Sequence, residues 1–143
     1  MLKEYISHSY KETEKIAEEL ANSLSGGEVI AFCGELGMGK TCFVRGLARG
    51  LGYNGNVSSP TFALINEYIG GRLNLYHFDM YRVNGWEDLY STGYFDYINA
   101  GGVVAVEWSE NITAALSDNT ISVSIEQIDD NTRKISISGG DLF

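Results

Sequence analysis

A glycine-rich stretch early in the chain constrains its fold more than any other feature. Residues 34–41 match the pattern G-x-x-x-x-G-K-[ST], which forms a loop around nucleotide phosphates in P-loop proteins. The glycines allow backbone turns that a side chain would block, and successive N–H groups then form a nest for an anion. The predicted nucleotide contacts in and beside this loop are Glu35, Leu36, Gly37, Met38, Gly39, Lys40, Thr41 and Cys42.

The residues on either side of the loop supply the structural context that the pattern needs. The apolar residues 29–33 predict a strand that is buried on both faces, and apolar residues at helical spacing follow the loop as far as Leu51. Strand, glycine loop and helix in this order form the setting in which the pattern binds phosphate. Lys40 would place its charge against the β- and γ-phosphates, and the Thr41 hydroxyl could be a ligand of Mg²⁺.

Two acidic residues could complete such a site, because a P-loop enzyme needs a further acid near the metal, commonly at the end of an apolar strand. Glu107 directly follows the apolar residues 103–106 and is the clearer candidate. Asp79 lies in the segment HFDMYR, where it could position the attacking water or bind the metal through water. In the same segment, Arg82 could pair with Asp79 or reach a phosphate, whereas His77 is expected to be a packed strand histidine.

Two further positions are candidate contacts of the nucleotide. Thr61 belongs to the short sequence SPT, which lies where many P-loop proteins carry a switch that senses the γ-phosphate. Trp108 follows Glu107 and could cover the site. The alternatives are a plain turn at Thr61 and, for Glu107, a strand-end carboxylate that faces water.

The remaining pattern predicts an α/β fold, with a single P-loop domain over residues 1–143. Residues 61–68 and 73–80 are expected to form a hairpin, and residues 121–137 a second one around turn-forming residues at 129–131. We therefore expect a mixed, mostly parallel central sheet that is extended by antiparallel hairpins and flanked by helices. The nucleotide site should lie at the carboxyl ends of the parallel strands.

Composition narrows the class of protein. The formal net charge of −9, from 19 acidic and 10 basic residues, argues against autonomous binding of nucleic acid, which needs a basic patch. An acidic surface could suit basic protein partners, or it could simply be well solvated.

No apolar run is long enough for a membrane span and no signal-peptide pattern is visible, so we expect a cytoplasmic location. We expect Cys33 and Cys42 to pack as small hydrophobic side chains in a reducing compartment.

Two absent patterns bear on the choice of substrate. The chain has no Asn-Lys-x-Asp sequence, so guanine specificity has no visible basis. It also has no arginine-rich lid segment, which a small-molecule kinase would use to exclude water. Three hypotheses remain: an ATPase that drives a partner's reaction, a small-molecule kinase, and a nucleotide-dependent binding module in which hydrolysis is incidental.

Several motifs in a fixed order together resemble the bacterial TsaE (YjeE) family of P-loop ATPases. One glycine loop would be weak support for a family, but its combination with the sequences SPTF and HFDxYR is specific. The resemblance spans residues 9–109, and its one departure in the loop is Glu35, where the family often has aspartate. Besides the glycine loop, the motifs are RGL at residues 45–47, SPTF at 59–62, EY at 67–68, HFDMYR at 77–82 and EW at 107–108.

The resemblance implies an enzyme that binds Mg²⁺ and ATP and hydrolyses ATP slowly when it is alone. It implies that the chain acts with the proteins TsaD and TsaB, which transfer a threonylcarbamoyl group to adenosine in tRNAs that read ANN codons. The chain would meet tRNA only indirectly, through that complex, and would not act on DNA or membranes.

The resemblance also assigns roles to individual residues. Catalysis would involve Lys40, Asp79 and Glu107, and the Mg²⁺ ligands would be Thr41 and Glu107. Thr13 lies in a first helix that the capping-box pattern SYKE at residues 9–12 predicts. Thr13 and Arg133, which is in the second predicted hairpin, match positions near the nucleotide base. Trp108 matches an aromatic residue in a motif of the family. For Thr13 and Arg133, the alternatives are a threonine on a helix surface and a solvated hairpin charge.

Overall fold

The computed structural model of the chain describes residues 2–33, 39–55 and 65–139. Within these ranges the chain forms seven β-strands, four α-helices and one 3-10 helix. In chain order, the elements are β1 Leu2–Ser7, α1 Tyr10–Asn22, β2 Val29–Cys33, α2 Lys40–Gly50, β3 Ile65–Tyr68, β4 Leu75–Asp79, α3 Trp86–Ser91, α4 Tyr94–Ile98, β5 Val103–Glu107, the 3-10 helix Ser109–Ala115, β6 Ile121–Gln127 and β7 Arg133–Gly139.

The strands form one mixed sheet with the order β1-β7-β6-β2-β5-β4-β3. The central strands β6, β2, β5 and β4 are parallel to one another. Antiparallel strands extend the sheet at both edges, with β7 and β1 beyond β6 and with β3 beyond β4. This order confirms the predicted α/β fold with a mostly parallel centre. The predicted strand at residues 61–68 is confirmed from Ile65 onward, whereas residues 61–64 lie outside the described residues.

Side chains that alternate along the central strands contribute to two hydrophobic cores on opposite faces of the sheet. On β4, Leu75 belongs to the core beneath α1 and α2, whereas Tyr76 and Phe78 belong to the core beneath α3, α4 and the 3-10 helix. Residues two apart on a strand point to the same side. His77 and Asp79 therefore share the face of Leu75, on which α1 and α2 pack.

The sequence pattern does not predict β1. Four of its six residues are exposed, and it lies at the edge of the sheet, where it pairs with β7. At the surface, Lys134 Nζ lies 2.7 Å from Glu4 Oε2 and joins the two strands. An edge strand of this kind carries little apolar alternation, so its pairing with a distant segment decides its conformation.

Helices α1 and α2 approach closely because two glycines of α2 face α1. A Cβ atom added at Gly46 would overlap the carbonyl oxygen of Glu14 and would lie 2.7 Å from Ala17 Cβ. At Gly50, an added Cβ would lie 2.6 Å from Ala21 Cβ. Contacts under 3 Å between such atoms do not occur in packed proteins, so a side chain at either position would push the helices apart.

An ion-pair cluster accompanies this contact between the helices. Glu14 Oε1 lies 3.0 Å from Arg45 Nη1, and Glu14 Oε2 lies 2.9 Å from Arg49 Nη1. Burial is the largest influence on the pKa of the Glu14 carboxyl and raises it, but the hydrogen bonds and charges of Arg45 and Arg49 together outweigh burial. The pKa therefore lies below its ordinary value, and the shared carboxylate helps to fix the setting of α1 on α2.

We expect Gly46→Ala to lower the free energy of unfolding by about 1–3 kcal/mol, because overpacking at the helix contact exceeds the gain in helix propensity. Urea unfolding measures this change. Gly85→Ala is the control, since an added Cβ there meets nothing within 4 Å, and its effect should stay below about 1 kcal/mol. Equal stability of Gly46→Ala and the unchanged chain would contradict the close packing of α1 on α2.

Candidate functional site

The predicted phosphate-binding residues lie where β2 ends and α2 begins. Gly39 precedes the first residue of α2 and has a φ of 95°, a left-handed conformation that favours glycine. Lys40 is the first residue of α2 and is only 4% exposed, and Thr41 is half-buried. The predicted contacts at Glu35, Leu36, Gly37, Met38 and Thr61 lie outside the described residues.

Two carboxylates end neighbouring strands at the same edge of the sheet. Asp79 is the last residue of β4 and Glu107 the last of β5, and the two are partners in the parallel register. β2, which leads to the glycine loop, is parallel to β5, so all three strands end at this edge. The side chains of Asp79 and Glu107 point to the face that carries α2, as the alternation along β4 requires. The sheet thus brings both predicted acids to the edge at which Lys40 begins its helix.

The two acids differ in their surroundings. Glu107 is 6% exposed, whereas Asp79 is half-buried and accepts a hydrogen bond of 3.0 Å from the N–H of Tyr81. Arg82 is exposed, and no ion pair joins it to Asp79 within residues 65–139. Asp79 is therefore the acid that solvent can reach, and Glu107 is the enclosed one.

A buried histidine accompanies the enclosed acid. His77 is fully buried, and its Nε2 lies 2.9 Å from Glu107 Oε2. Neither ring nitrogen makes a hydrogen bond of good geometry among the described residues. His77 and Glu107 therefore form a close polar contact. Sequence reasoning treated His77 as a packed strand residue, which its burial fits, but missed its contact with Glu107. The available signal was its position two residues before Asp79, on the same face of β4.

Trp108 adopts an unusual backbone conformation directly after Glu107. Its φ of 60° is the only positive value among the described non-glycine residues. A left-handed conformation costs a bulky residue about 1–2 kcal/mol, so the surrounding structure must hold it. Its ring packs edge-on against Tyr81, with 4.9 Å between the ring centroids. Next to it, the Ser109 hydroxyl donates a 3.0 Å hydrogen bond to the carbonyl of Phe32. Strain of this kind, held by specific contacts next to a buried acid, is typical of functional sites.

A cavity of about 240 Å³ is lined by residues at the start of α1, by Gly39 directly before α2, and by residues of the β6–β7 turn. It contains both Thr13 and Arg133, so the structure brings these two predicted base-contact residues together at one end of the glycine loop. Residues 129–131 were predicted as a turn, and Asp130 and Asn131 of that turn line the same cavity. The complete lining is His8, Ser9, Tyr10, Thr13, Gly39, Asp130, Asn131 and Arg133.

Hydrogen bonds at the wall of this cavity determine in which direction the Thr13 hydroxyl donates its proton. The buried Ser7 hydroxyl donates to the carbonyl of Ser9 at 2.8 Å, and its oxygen lies 2.7 Å from the hydroxyl oxygen of Thr13. Ser7 has one hydroxyl proton and a carbonyl can only accept, so Thr13 is the donor in the bond between the two hydroxyls. The Thr13 oxygen therefore keeps lone pairs with which to accept a hydrogen bond from a bound group.

Arg133 supplies the opposite polarity in the same cavity. Its Nη1 donates to the carbonyl oxygens of Asp129, at 3.2 Å, and of Thr132, at 3.4 Å. Its Nε is buried and has no hydrogen-bond partner among the described residues. The cavity therefore combines an acceptor at Thr13 with the guanidinium group of Arg133, which can only donate hydrogen bonds.

A family profile described as "Threonylcarbamoyl adenosine biosynthesis protein TsaE" matches residues 7–135. The chain is 42% identical over 139 residues to the tRNA threonylcarbamoyladenosine biosynthesis protein TsaE of Aquifex aeolicus, covering 96% of each chain. It is 37% identical over 133 residues to that of Treponema pallidum, covering 93% of this chain and 98% of the relative. The crystal structure of Bacillus subtilis YdiB superposes with a TM-score of 0.81 at 32% identity, covering 97% of this chain and 86% of that one.

The chain belongs to the TsaE family. Proteins of this family take part in the biosynthesis of threonylcarbamoyladenosine in tRNA. The matched residues 7–135 include the ends of β2, β4 and β5 and both walls of the cavity. In the described part of this TsaE-family chain, no helix is long and apolar enough to cross a membrane.

The donor set at the strand ends fits a Mg²⁺ ion. Mg²⁺ prefers oxygen ligands and is commonly held by one or two carboxylates together with substrate phosphates. Glu107 and the Thr41 hydroxyl are oxygen donors of this type, and Asp79 stands beside Glu107. Within the described ranges, no group of three or more histidine, cysteine, aspartate or glutamate side chains could hold a metal ion.

The two cysteines have different environments. Cys42 is buried, and its Sγ donates a hydrogen bond of 3.1 Å to the carbonyl oxygen of Tyr10. It lines a second cavity of about 280 Å³ with Tyr10, Gly39, Thr41 and Arg45. Burial, followed by the charge of Glu14, raises the pKa of the Cys42 thiol. Cys33, at the end of β2, is exposed, so the expectation that both cysteines pack as buried hydrophobic residues is wrong for Cys33.

These environments predict two rates of thiol modification. At pH 8, an aromatic disulfide reagent should react quickly with Cys33 and at least tenfold more slowly with Cys42, because burial and a raised pKa both lower the reactivity of a thiol. Absorbance of the released thiolate measures the two phases. Cys33→Ser should remove the fast phase and Cys42→Ser the slow one. A single fast phase that accounts for both cysteines would contradict the burial of Cys42.

Proposed function

We propose that the chain is a Mg²⁺-dependent ATPase that supports a TsaD–TsaB complex in threonylcarbamoyladenosine modification of tRNAs that read ANN codons. The observation that carries this proposal is the pairing of Asp79 and Glu107 at the ends of adjacent parallel strands, at the edge where α2 begins with the buried Lys40. We place the protein in the cytoplasm, where tRNA is modified.

The proposed reaction is an in-line attack of water on the γ-phosphorus of ATP. The bond from the γ-phosphorus to the oxygen that bridges to the β-phosphate breaks, and ADP and phosphate leave. Lys40 binds the β- and γ-phosphate oxygens, and its charge offsets the charge that develops in the transition state. Thr41 and Glu107 would hold Mg²⁺, which would neutralise part of the charge of the phosphates.

Asp79 is assigned the task of orienting the attacking water. It is the carboxylate that solvent reaches, and the hydrogen bond from the Tyr81 N–H fixes its direction. The buried His77 contacts Glu107 at 2.9 Å and acts as a positioning residue, because it restricts the rotamers of the enclosed acid. Because Asp79 and Glu107 differ in their exposure to solvent, we assign them different roles.

We assign the cavity beside Gly39 to the adenine base. The 6-amino group of adenine is a donor, and it would meet the acceptor oxygen of Thr13, which the Ser7 hydroxyl holds in that polarity. A ring nitrogen of adenine is an acceptor for an N–H of the Arg133 guanidinium group, which lines the cavity. Guanine carries a carbonyl oxygen where adenine has its amino group, and two facing acceptors would leave both unsatisfied.

For the hydrolysis site, we expect Lys40→Ala and Glu107→Ala each to reduce Mg·ATP hydrolysis at least a hundredfold, because each removes charge from the phosphate or metal environment. Both variants should lose tRNA modification in a reconstituted system with TsaD, TsaB and tRNA. Asp79→Asn should still bind ATP but hydrolyse it slowly. Glu19→Gln, at an exposed acid of α1, is the control and should keep full activity. Phosphate release and tRNA nucleoside analysis measure the two activities.

The same assay separates the alternatives. Adding TsaD and TsaB should raise the rate of ATP hydrolysis, and an unchanged rate would count against a partner-driven ATPase. Full tRNA modification by a variant that does not hydrolyse ATP would favour a binding module in which hydrolysis is incidental. Phosphate transfer to a metabolite in the absence of partners would favour a small-molecule kinase.

For the base site, we expect ATP to compete at least tenfold better than GTP for the unchanged chain, since an unsatisfied buried acceptor costs about 1–3 kcal/mol. Thr13→Val should remove this preference, because it replaces the acceptor with a methyl group, whereas Thr13→Ser should keep most of it. Ser7→Ala should weaken the preference by freeing the Thr13 hydroxyl to act as a donor. Competition against a fluorescent nucleotide measures these affinities, and equal affinity of the unchanged chain for GTP and ATP would overturn the assignment of the cavity.

A further inference from the structure

Three aromatic rings form an exposed cluster on the face of the sheet opposite α1 and α2. We call Trp86 and Tyr90 of α3, together with Phe95 of α4, the aromatic cluster. The rings of Trp86 and Phe95 are stacked with 6.3 Å between their centroids, and those of Tyr90 and Phe95 are 5.0 Å apart. Trp86 is 51% exposed and Tyr90 is 65% exposed. Large aromatic surface in contact with water is unfavourable unless it has another use.

The core does not require Trp86 or Tyr90, whereas Phe95 packs against it. Helix α3 reaches the sheet through Leu89, and helix α4 reaches it through Tyr94, and both of these residues are buried. Trp86 and Tyr90 lie four residues apart on one side of α3, outside that core contact. Their aromatic area is therefore additional to what attaches the helices to the sheet.

An apolar cavity of about 150 Å³ adjoins the cluster. Trp86 belongs to the aromatic cluster and also lines the cavity, so the cluster and the cavity form one continuous surface between α3 and the 3-10 helix. Most of the cavity is lined by small or aliphatic side chains, with polar groups at Asn111 and Thr113. The full lining is Val83, Gly85, Trp86, Leu89, Asn111, Ile112, Thr113, Ala114 and Ala115.

The side chains of α3, α4 and the 3-10 helix carry charge of a single sign. Residues 83–132 contain no lysine, arginine or histidine, and this range covers α3, α4, the 3-10 helix and their connections. The exposed acids of these elements are Glu87 and Asp88 in the first turn of α3, Asp96 next to Phe95 in α4, and Glu110 next to the cavity residue Asn111 in the 3-10 helix. The surface thus combines flat aromatic rings with a negative rim.

We propose that the aromatic cluster and its cavity bind an arginine-bearing segment of a protein partner. A guanidinium group is planar, stacks on aromatic rings and binds carboxylates with two parallel hydrogen bonds, so it matches both components of the surface. A lysine ammonium group matches the charge but cannot stack in this way. The negative rim also selects against acidic partners and raises the rate of encounter with basic ones.

This inference goes beyond the proposed hydrolysis and does not depend on it. The cluster packs on the core of Tyr76 and Phe78, whereas Asp79 and Glu107 point to the opposite face of the sheet. Binding to the cluster can therefore be measured without nucleotide. Failure of the ATPase assignment would leave the test of the cluster unaffected.

The test uses fluorescein-labelled hexa-arginine and hexa-lysine peptides, with fluorescence anisotropy in about 0.1 M salt. Hexa-arginine should bind saturably and at least fivefold more tightly than hexa-lysine. Trp86→Ala should weaken its binding about tenfold, while Trp86→Phe, which keeps an aromatic face, should stay within about threefold of the unchanged chain. Thermal unfolding of each variant shows that the fold is retained, and Trp86→Phe keeps the test valid if Trp86→Ala unfolds.

A matched pair of charge variants separates the cluster from general electrostatic attraction. Glu87→Gln with Asp96→Asn should weaken binding of hexa-arginine at least fivefold. Glu19→Gln with Glu126→Gln changes the net charge equally at exposed acids elsewhere and should have less than a twofold effect. Equal loss in both double variants, equal binding of the two peptides, or no effect of Trp86→Ala would each overturn the proposal.

A second copy of the chain is the competing occupant of this surface. Sedimentation of the unchanged chain and of Trp86→Ala distinguishes it, because a dimer through the cluster would dissociate in the variant. We expect both to sediment alike as monomers at micromolar concentration. A dimer that Trp86→Ala converts to monomer would overturn the proposal in favour of self-association.

Discussion

The parallel pairing of β2, β5 and β4 is the constraint on which the candidate site depends. Because these strands run in the same direction, their carboxyl ends meet at one edge, and a residue that ends one strand lies beside a residue that ends the next. The register sets Asp79 opposite Glu107, and alternation turns both toward the face of α2. A slip of one residue on β4 would send Asp79 to the opposite face and bring Phe78 to this one.

The close approach of α1 to α2 connects the phosphate end of the site to the cavity assigned to the base. Gly46 and Gly50 let α1 lie against α2, and the start of α1 then reaches the start of α2. In this arrangement Thr13 of α1 lines a cavity together with Gly39, and the thiol of Cys42 bonds to the carbonyl of Tyr10. A larger residue at Gly46 would therefore disturb ligand geometry as well as packing, because both depend on the same separation of the helices.

The sequence carries enough information for the central elements and too little for contacts between distant segments. The apolar residues 29–33 and 103–106 are strong local signals, and the structure places β2 and β5 there. β1 has no such signal, since it is an edge strand whose partner, β7, is far away in the sequence. Cys33 ends an apolar strand but is exposed, which the apolar pattern of the strand does not indicate. The contact between His77 and Glu107 also depends on a register that no local pattern contains.

The distribution of charge gives the two faces of the sheet different chemistry. All ten basic residues lie outside residues 83–132, and those near the candidate site, Lys40 and Arg133, come from α2 and β7 on the α1 side. The α3 side has acidic and aromatic residues instead. Nucleotide phosphates are anions, so the acidic face would repel them and the basic residues would attract them. We therefore expect a nucleotide and an arginine-bearing segment to bind to different faces of the sheet without competing.

β4 and β5 contribute residues to both faces. Phe78 and Val106 lie in the core beneath the aromatic cluster, and the next residues, Asp79 and Glu107, end the same strands at the proposed hydrolysis site. Both proposed sites therefore rest on the same two strands, with the core residues of one and the acids of the other adjacent along the chain.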